Sequence, residues 1–423
     1  MRTIIKKAFF VLLLMLSIFM YIGCSNNKVL KSSTYDKSYN DTTDFNVSAI
    51  SWLECPCSIV EAPNGFYFIY RYFIYYYDFS AMKLVSLCNK VNCNHYKETD
   101  PERVPECDSF IGSVMRPFVG ISGEKMYVTI EDTDTRIVQL VEMNLDGSER
   151  RICISDCSKI DIALMRIHRG ILYYPYTSYD LDGKVVHNIE AMSLMTAEHQ
   201  KRIIFSSAES EITFSQIMPY GNYVYFEYYK RNDTADNTNV FLDSIWRYCI
   251  IDGQITMASQ DGGFQIYGAC NDQVILRNLG KYYCIDNCNS EIEIKEYDSG
   301  ISKFAEAHPV WNCHPDCISD SLVFFSCFDR SEDVDDFIHE LFVVNQQGEV
   351  VCEIPDEAWG TNGAQVISYD TDKYIIKYAA LPASAETVIA YRFDDLYNGQ
   401  ANKIIILNGS EIGASSFITK IKE

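Results

Sequence analysis

A short apolar pulse recurs along this chain at intervals close to fifty residues, and that period constrains the fold more than any other feature. The pulses are GFYFIY around Tyr67, EKMYVTI around Tyr127, GILYYPY around Tyr173, NYVYFEY around Tyr225, DQVILRN around Ile275, SLVFFSC around Phe324 and DKYIIKY around Ile375. Their anchors are separated by 60, 46, 52, 50, 49 and 51 residues. Each is rich in aromatic and β-branched residues, and most follow Gly, Asn or Asp, where a turn delivers the chain into a strand. A second stretch follows each pulse, as in LVEMNLDGSERRIC, SIWRYCIIDGQITMAS and ELFVVNQQGEVVCEI. There the glycines of LDGS, IDGQ and QQGE suit the positive-φ position of a hairpin turn.

The unit therefore reads as strand, loop, strand, tight turn, strand, with a further strand drawn from the connection to the next unit. Four short antiparallel strands in about 40–50 residues are the signature of a propeller blade. The expected fold is all-β: a β-propeller of seven four-stranded blades, or eight if ISWLECPCSIVEA pairs with the C-terminal strands. That segment is also the candidate for the strand that closes the ring. Two β-sandwiches in tandem would use the same strands but would not explain the even spacing. The unit around Ile275 fits least well, because GKYYCIDNCNSEIEIKEY lacks a clean turn dipeptide.

The N-terminus sets the location. Arg2, Lys6 and Lys7 precede an uncharged apolar run from Ala8 to Gly23, 16 residues long. As a helix that run spans about 24 Å, short of the roughly 20 residues a membrane crossing needs. It ends at Gly23-Cys24, and polarity rises at once through Ser25, Asn26 and Asn27. This resembles the lipobox of bacterial lipoproteins, in which the cysteine sulfur is lipidated and the peptide is cut just before it; Tyr21 stands where leucine is usual. A plain cleaved signal or an uncleaved anchor would also place the remainder outside the cytoplasm. Residues 1–23 are thus read as a signal peptide, 24–46 as a lipidated flexible tether and 47–423 as the propeller. The tether is Ser-, Asn-, Asp-, Thr- and Lys-rich and has too little apolar surface to fold.

The precursor carries a formal charge of -22, and loss of residues 1–23 removes three positive charges, so the mature chain stands at -22 - 3 = -25. An acidic domain with no basic cluster is repelled by phosphate backbones, which argues against a nucleic-acid partner. Aromatic residues make up 13% of the chain. At strand positions most are expected as blade core. The consecutive run Tyr75, Tyr76 and Tyr77 must alternate between the two faces of its strand, which suggests that one of those faces is not core.

Fifteen of the sixteen cysteines lie beyond Cys24. Outside the membrane they can form disulfides, and an odd count leaves at least one free, metal-bound or intermolecular. LCNKVNCNHYKETD places Cys88, Cys93 and His95 together, with Cys107 a dozen residues on. Three sulfurs and one imidazole suit zinc, whereas oxidation would make the same segment a disulfide-pinned loop. Its polar, Pro-containing continuation up to Asp108 cannot pack a core, so a staple of some kind is expected. A second cluster holds His308, Cys313, His314 and Cys317; a small disulfide at a blade rim is expected there, with zinc as the alternative. The C-P-C of Cys55 and Cys57 lacks the C-x-x-C frame at a helix start that redox work needs.

The lipobox, the repeated aromatic pulses and LCNKVNCNH together resemble a group of bacterial lipoproteins that carry propeller domains of unknown function, similar in look to the low-density-lipoprotein-receptor type propeller. Those relatives often carry a comparable Cys-rich insertion after the first blade; here Val91 replaces the usual proline, and the insertion spans about 88–107. The resemblance implies architecture and location, and no activity.

No G-x-S-x-G, H-E-x-x-H or phosphate-loop motif occurs. Ser80 and Lys83 match S-x-x-K but fall in an expected hairpin turn. Asp132-x-Asp134, Asp180-x-Asp182-Gly183 and the run from Asp333 to Asp336 lack the calcium-loop frame and read as turns. The expected protein is a monomeric, membrane-anchored extracytoplasmic lipoprotein. Its propeller would bind an envelope protein or a glycan through loops on one face, with no catalytic residue assigned and no cofactor beyond the possible zinc. The competing readings are a carbohydrate-active hydrolase or lyase on the same scaffold and an accessory subunit of an envelope complex.

Overall fold

The computed structural model describes residues 58–70, 72–95, 103–114, 116–209, 212–233, 239–260, 263–297, 300–308, 311–319, 321–329, 339–354, 364–367, 374–379 and 387–408. The signal region, Cys24, the tether, Cys55, Cys57 and the run from Asp333 to Asp336 lie outside these residues. Blade 1 holds β1 (Ser58–Ala62), β2 (Gly65–Tyr70), β3 (Phe73–Asp78) and β4 (Lys83–Ser86). Blade 2 holds β5 (Val119–Ser122), β6 (Lys125–Glu131), β7 (Val138–Asn144) and β8 (Arg151–Ile154). Blade 3 holds β9 (Arg166–His168), β10 (Ile171–Tyr179), β11 (Val185–Ser193) and β12 (Lys201–Ser207). Blade 4 holds β13 (Ile212–Tyr220), β14 (Tyr223–Asp233), β15 (Asn239–Cys249) and β16 (Ile255–Gln260). Blade 5 holds β17 (Gln265–Cys270), β18 (Gln273–Asn278), β19 (Lys281–Asp286) and β20 (Ile294–Glu296). Blade 6 holds β21 (Trp311–Ile318), β22 (Leu322–Asp329), β23 (His339–Asn345) and β24 (Val350–Ile354). Blade 7 holds β25 (Ala364–Ile367), β26 (Tyr374–Ala379), β27 (Thr387–Arg392) and β28 (Lys403–Asn408). Two short helices, α1 (Gly300–Ala307) and α2 (Phe393–Tyr397), sit between strands.

Each sheet is a four-stranded antiparallel meander in sequence order, and the seven form a β-propeller. All seven apolar pulses are second strands, β2, β6, β10, β14, β18, β22 and β26. The weak unit around Ile275 turns through Leu279 and Gly280 at φ of 48° and 81°. This two-residue turn with both centres left-handed matches the twist of the strands it joins. Ser80 lies, as expected, in the β3–β4 turn, where Asp78 Oδ1 accepts from its amide at 2.7 Å. Asp132 and Asp180 close turns in the same way, accepting from following backbone amides at 2.8–3.1 Å.

Two expectations are corrected. Among the described residues, the segment Ser58–Ala62 does not pair with C-terminal strands. It is β1, antiparallel to β2 with Ser58 opposite Ile69 and Ala62 opposite Gly65. Blade 7 instead meets blade 1 through side chains: Tyr374 lies 5.3 Å from Phe66 and stacks on Phe79 at 5.2 Å. Nor is one face of the Tyr75–Tyr77 run outside the core. Tyr75 and Tyr77 join Phe66, Phe68 and Tyr70 in the cluster shared with blade 7, while Tyr76 packs with Tyr67 and Ile69 in the cluster shared with blade 2. A blade is sandwiched between two neighbours, so both strand faces are apolar. Seven such clusters occupy the seven gaps between successive blades. Each fully buried aromatic in them contributes roughly 1.5–3 kcal/mol. The close stacking leaves little room on the backbone; a Cβ at Gly65 would sit 1.9 Å from the Tyr77 carbonyl oxygen.

The connection from β4 to β5 is the Cys-rich insertion. Its far end returns to blade 1, where Ile74 N donates to Ser109 O at 2.8 Å and Ile111 N donates to Tyr72 O at 2.9 Å. Glu131 N then donates to Ile111 O at 2.8 Å, tying the same segment to blade 2.

Candidate metal centre

The insertion gathers its cysteines because three tight turns hold them. Cys88 leaves β4 with its amide donating to Ser86 O at 2.8 Å, and Cys93 closes a turn onto Lys90 O at 3.3 Å. His95 has a left-handed backbone at φ 51°. Cys107 caps a single 3-10 turn, Val104–Glu106, with its amide on Val104 O at 3.0 Å. One ligand atom from each of Cys88, Cys93, His95 and Cys107 lies within 4.8 Å of all the others. Cys107 Sγ is 3.7 Å from His95 Nδ1 and 3.0 Å from Ser109 Oγ, and the His95 amide donates to Cys93 Sγ at 3.4 Å. Val104 and Cys107 belong to the blade 1 core, with Cys88 and Cys93 packed against it.

Two cations stand beside the sulfurs. Lys90 Nζ lies 2.9 Å from Asp108 Oδ1 and also donates to the Glu106 carbonyl, and an Arg150 guanidinium nitrogen donates to the Asp108 carbonyl. Burial pushes the Cys88 thiol up, but the Lys90 and Asp108 amides and the neighbouring thiols outweigh it, so Cys88 ionises below the ordinary thiol value. Burial pushes Cys107 up to about 12 and holds His95 below the ordinary imidazole value. The chain thus brings together all four residues that the sequence singled out at this site. The expected disulfide is not present at this site: Cys88, Cys93 and Cys107 are free thiols.

The second cluster lies only partly within the described residues. Cys313 and Cys317 lie on one strand, β21, opposite Cys327 and Phe324. Four residues of strand span about 13 Å, twice the reach of a disulfide, so the C-x3-C pair cannot close as a rim staple. His308 directly follows α1, its Nδ1 2.9 Å from Phe304 O. The side chains of Cys313, His314 and Cys317 lie outside the described residues.

A group missed at the sequence level lies between blades 2 and 3. Glu142, Cys153 and His199 converge, with Cys153 Sγ 3.2 Å from His199 Nε2. Arg151 Nη2 occupies their centre, donating to the two Glu142 oxygens at 3.1 and 3.2 Å and standing 2.8 Å from His199 Nε2. The guanidinium already supplies the positive charge, so the group reads as a staple between blades. Burial, with the Glu142 carboxylate, pushes Cys153 up to about 11, which keeps it a neutral thiol. Glu142 and Arg151 face each other across the LDGS hairpin and were legible as a cross-strand pair; His199 was not.

A shallow groove of about 440 Å³ opens at the outer rim between blades 3 and 4, lined by Ile203, Ile204, Phe205, Ser206, Trp246 and Ile255. Phe205 lies 5.5 Å from Trp246, whose indole stacks on Tyr228 at 6.5 Å. Ile203 and Ile255 are 49% and 38% exposed, a large apolar exposure at one place.

The fold and these groups define a seven-bladed propeller with a Cys3His cluster beside its first blade. No family model matches the chain, and no curated protein matches it. Among solved structures, a prolyl endopeptidase is similar over 88% of this chain and 52% of its own, with a TM-score of 0.52 at 9% identity. An acylaminoacyl peptidase from Pyrococcus horikoshii is similar over 92% of this chain and 55% of its own, with a TM-score of 0.46 at 10% identity. An oligogalacturonate lyase in complex with manganese covers 66% of this chain and 73% of its own, with a TM-score of 0.42 at 10% identity. The chain spans about half the length of these peptidases. At such identities the likeness is one of fold, and fold does not carry activity.

Proposed function

We propose that this chain is a propeller held outside the cytoplasmic membrane by a lipid on Cys24, and that it binds a partner without transforming it. The groove between blades 3 and 4 carries the binding part of this reading. Phe205 and Trp246 form its aromatic wall, and Ile203 and Ile255 stand at its rim where a partner would cover them. Exposed apolar surface rewards burial by about 25 cal/mol per Å². Ser206 and the buried indole N–H of Trp246 are the polar side-chain groups of the lining, so sugar hydroxyls would find few partners there. A protein segment with apolar side chains fits better than a glycan. The groove also runs beside β12 and β16, the outermost strands of their sheets, each with one unpaired edge that an extended segment could meet. The tether reading rests on the Gly23-Cys24 junction and the polar run behind it.

Crosslinking in intact cells followed by purification of the full chain tests both parts. A stoichiometric protein partner is expected, and Ile203→Asp with Ile255→Asp should reduce its recovery about tenfold, the loss of roughly 1.4 kcal/mol or more of binding. Undiminished recovery would show that the groove is not the site. Cys24→Ala should release the chain from the membrane fraction; continued partition with membranes would refute the lipid anchor.

A further inference from the structure

We propose that Cys88, Cys93, His95 and Cys107 bind one zinc ion in a closed tetrahedral site that clamps the insertion between blades 1 and 2 onto the blade 1 core. Zinc bonds of about 2.3 Å to sulfur and about 2.05 Å to nitrogen place neighbouring sulfurs about 3.8 Å apart and a sulfur and nitrogen about 3.5 Å apart. Cys107 Sγ and His95 Nδ1 stand at 3.7 Å, and no pair among the four ligand atoms exceeds 4.8 Å. The widest pair closes by at most about 1 Å to reach ideal geometry.

A disulfide would use two of the three sulfurs and would leave unexplained why the third and an imidazole nitrogen converge on them. His95 adds a second sign. Its left-handed backbone is one that non-glycine residues adopt at a cost of about 1–2 kcal/mol. The loop accepts that cost in a conformation that brings the ring to Cys107. The surroundings complete an outer shell: the Ser109 hydroxyl on Cys107 and the His95 amide on Cys93 can both donate to thiolates. Charge balances as well. Three thiolates and one dication sum to -3 + 2 = -1, and Lys90, Arg150 and Asp108 beside them add +1, +1 and -1, so the total is zero.

Four protein ligands leave no open position, so the ion is structural and activates no water. Its work is to hold a polar segment that has little core of its own. Val104 and Cys107 are the insertion's buried contributions to the blade 1 cluster. Binding is also what would keep three thiols reduced in an oxidising compartment, since a coordinated thiolate is shielded from exchange.

The test uses the full chain, purified without reductant, with zinc measured by elemental analysis beside intact mass after alkylation. About one zinc per chain is expected, with Cys88, Cys93 and Cys107 alkylated only after chelation. Cys93→Ser and His95→Ala should lose the ion, whereas His95→Cys should keep it, because four cysteines also form a zinc set. A chain with less than about 0.1 zinc and a mass two hydrogens lower would overturn the proposal in favour of a disulfide. Zinc retained in both Cys93→Ser and His95→Ala would overturn it as well. If those variants fail to fold, cobalt(II) exchanged into the unaltered chain remains decisive. Intense thiolate-to-cobalt absorption with tetrahedral visible bands supports the site, and weak octahedral bands alone refute it.

Discussion

Arg151→Met tests whether the seven blades depend on polar staples between them as well as on apolar packing. Arg151 Nη2 donates to both oxygens of Glu142, and Nη1 donates to the Ala197 carbonyl of blade 3 at 3.1 Å. Glu142 is 8% exposed, and after the substitution the Tyr127 hydroxyl, at 2.9 Å, would still donate to its carboxylate, with His199 Nε2 standing 3.5 Å from it. Removing one partner of a fully buried pair costs about 3–5 kcal/mol. Here the arginine side chain is 43% exposed and one hydrogen bond survives, so the expected cost is about 2 kcal/mol. Methionine keeps the aliphatic stem, so the loss reports on the charge. With an m-value of about 3–5 kcal/mol/M for a chain of this size, the urea midpoint should fall by roughly 0.4–0.7 M. Glu142→Gln removes the stranded charge, and the double variant should be less destabilised than the sum of the singles by about 1 kcal/mol. A midpoint shift under about 0.1 M, or strict additivity, would show that the staple is ornamental and that packing alone joins blades 2 and 3.

Phe304→Ala should cost about 3–5 kcal/mol, because Phe304 is fully buried with ring centroids 4.4 Å from Phe325 and 5.5 Å from Phe342; an unchanged urea midpoint would refute its place in the core. The turn carboxylates give a pH dependence. Asp78 and Asp146 are held below the ordinary carboxylate range by the Ser80 and Ser148 hydroxyls and amides, and Asp132 by the Thr135 amide and hydroxyl. Their folded values lie below their unfolded ones, so their contribution is complete above the unfolded value near about 3.9 and is lost as pH falls through the folded value. Stability should therefore drop on acidification below about pH 4, and Asp78→Asn with Asp146→Asn should flatten that slope; an unchanged slope would remove the turns from the account.

Much of the architecture was legible from single strands and turns. The aromatic pulses located the second strand of every blade, including the weak unit at Ile275, whose Leu279-Gly280 turn lacks the usual Asn or Asp before glycine. Legibility failed where two distant pieces meet. The segment ending at Ser58–Ala62 was read as a partner for the last strands, since any apolar strand can complete an edge, but it pairs with β2. The alternation at Tyr75–Tyr77 was read as one buried face and one bare face, the pattern of a sheet with a single cover. A propeller blade has two covers, so Tyr76 packs against blade 2 while Tyr75 and Tyr77 face blade 7. Cys313 and Cys317 looked like a staple because spacing alone does not say whether four residues coil or extend. At the insertion the four ligands could be named, but whether they converge depends on the turns at Lys90 and Val104 and on the anchoring of Ser109 and Ile111 to blade 1.

Strand order and turn placement within a blade belong to the sequence itself, because each blade is a contiguous meander in which neighbouring strands are joined by short connections; that there are seven blades and not eight was decided by the structure. Pairing needs little more than the local alternation of apolar residues and a turn of the right hand, and both are written along the chain. The tertiary structure decided the rest: how blade 7 meets blade 1 through Tyr374, Phe66 and Phe79, how Arg151 comes to sit between Glu142 and His199, and that three sulfurs and an imidazole share one point. These depend on closure of the ring and on the twist of each sheet. Distances between residues far apart in sequence are then set by packing, which the local pattern does not encode.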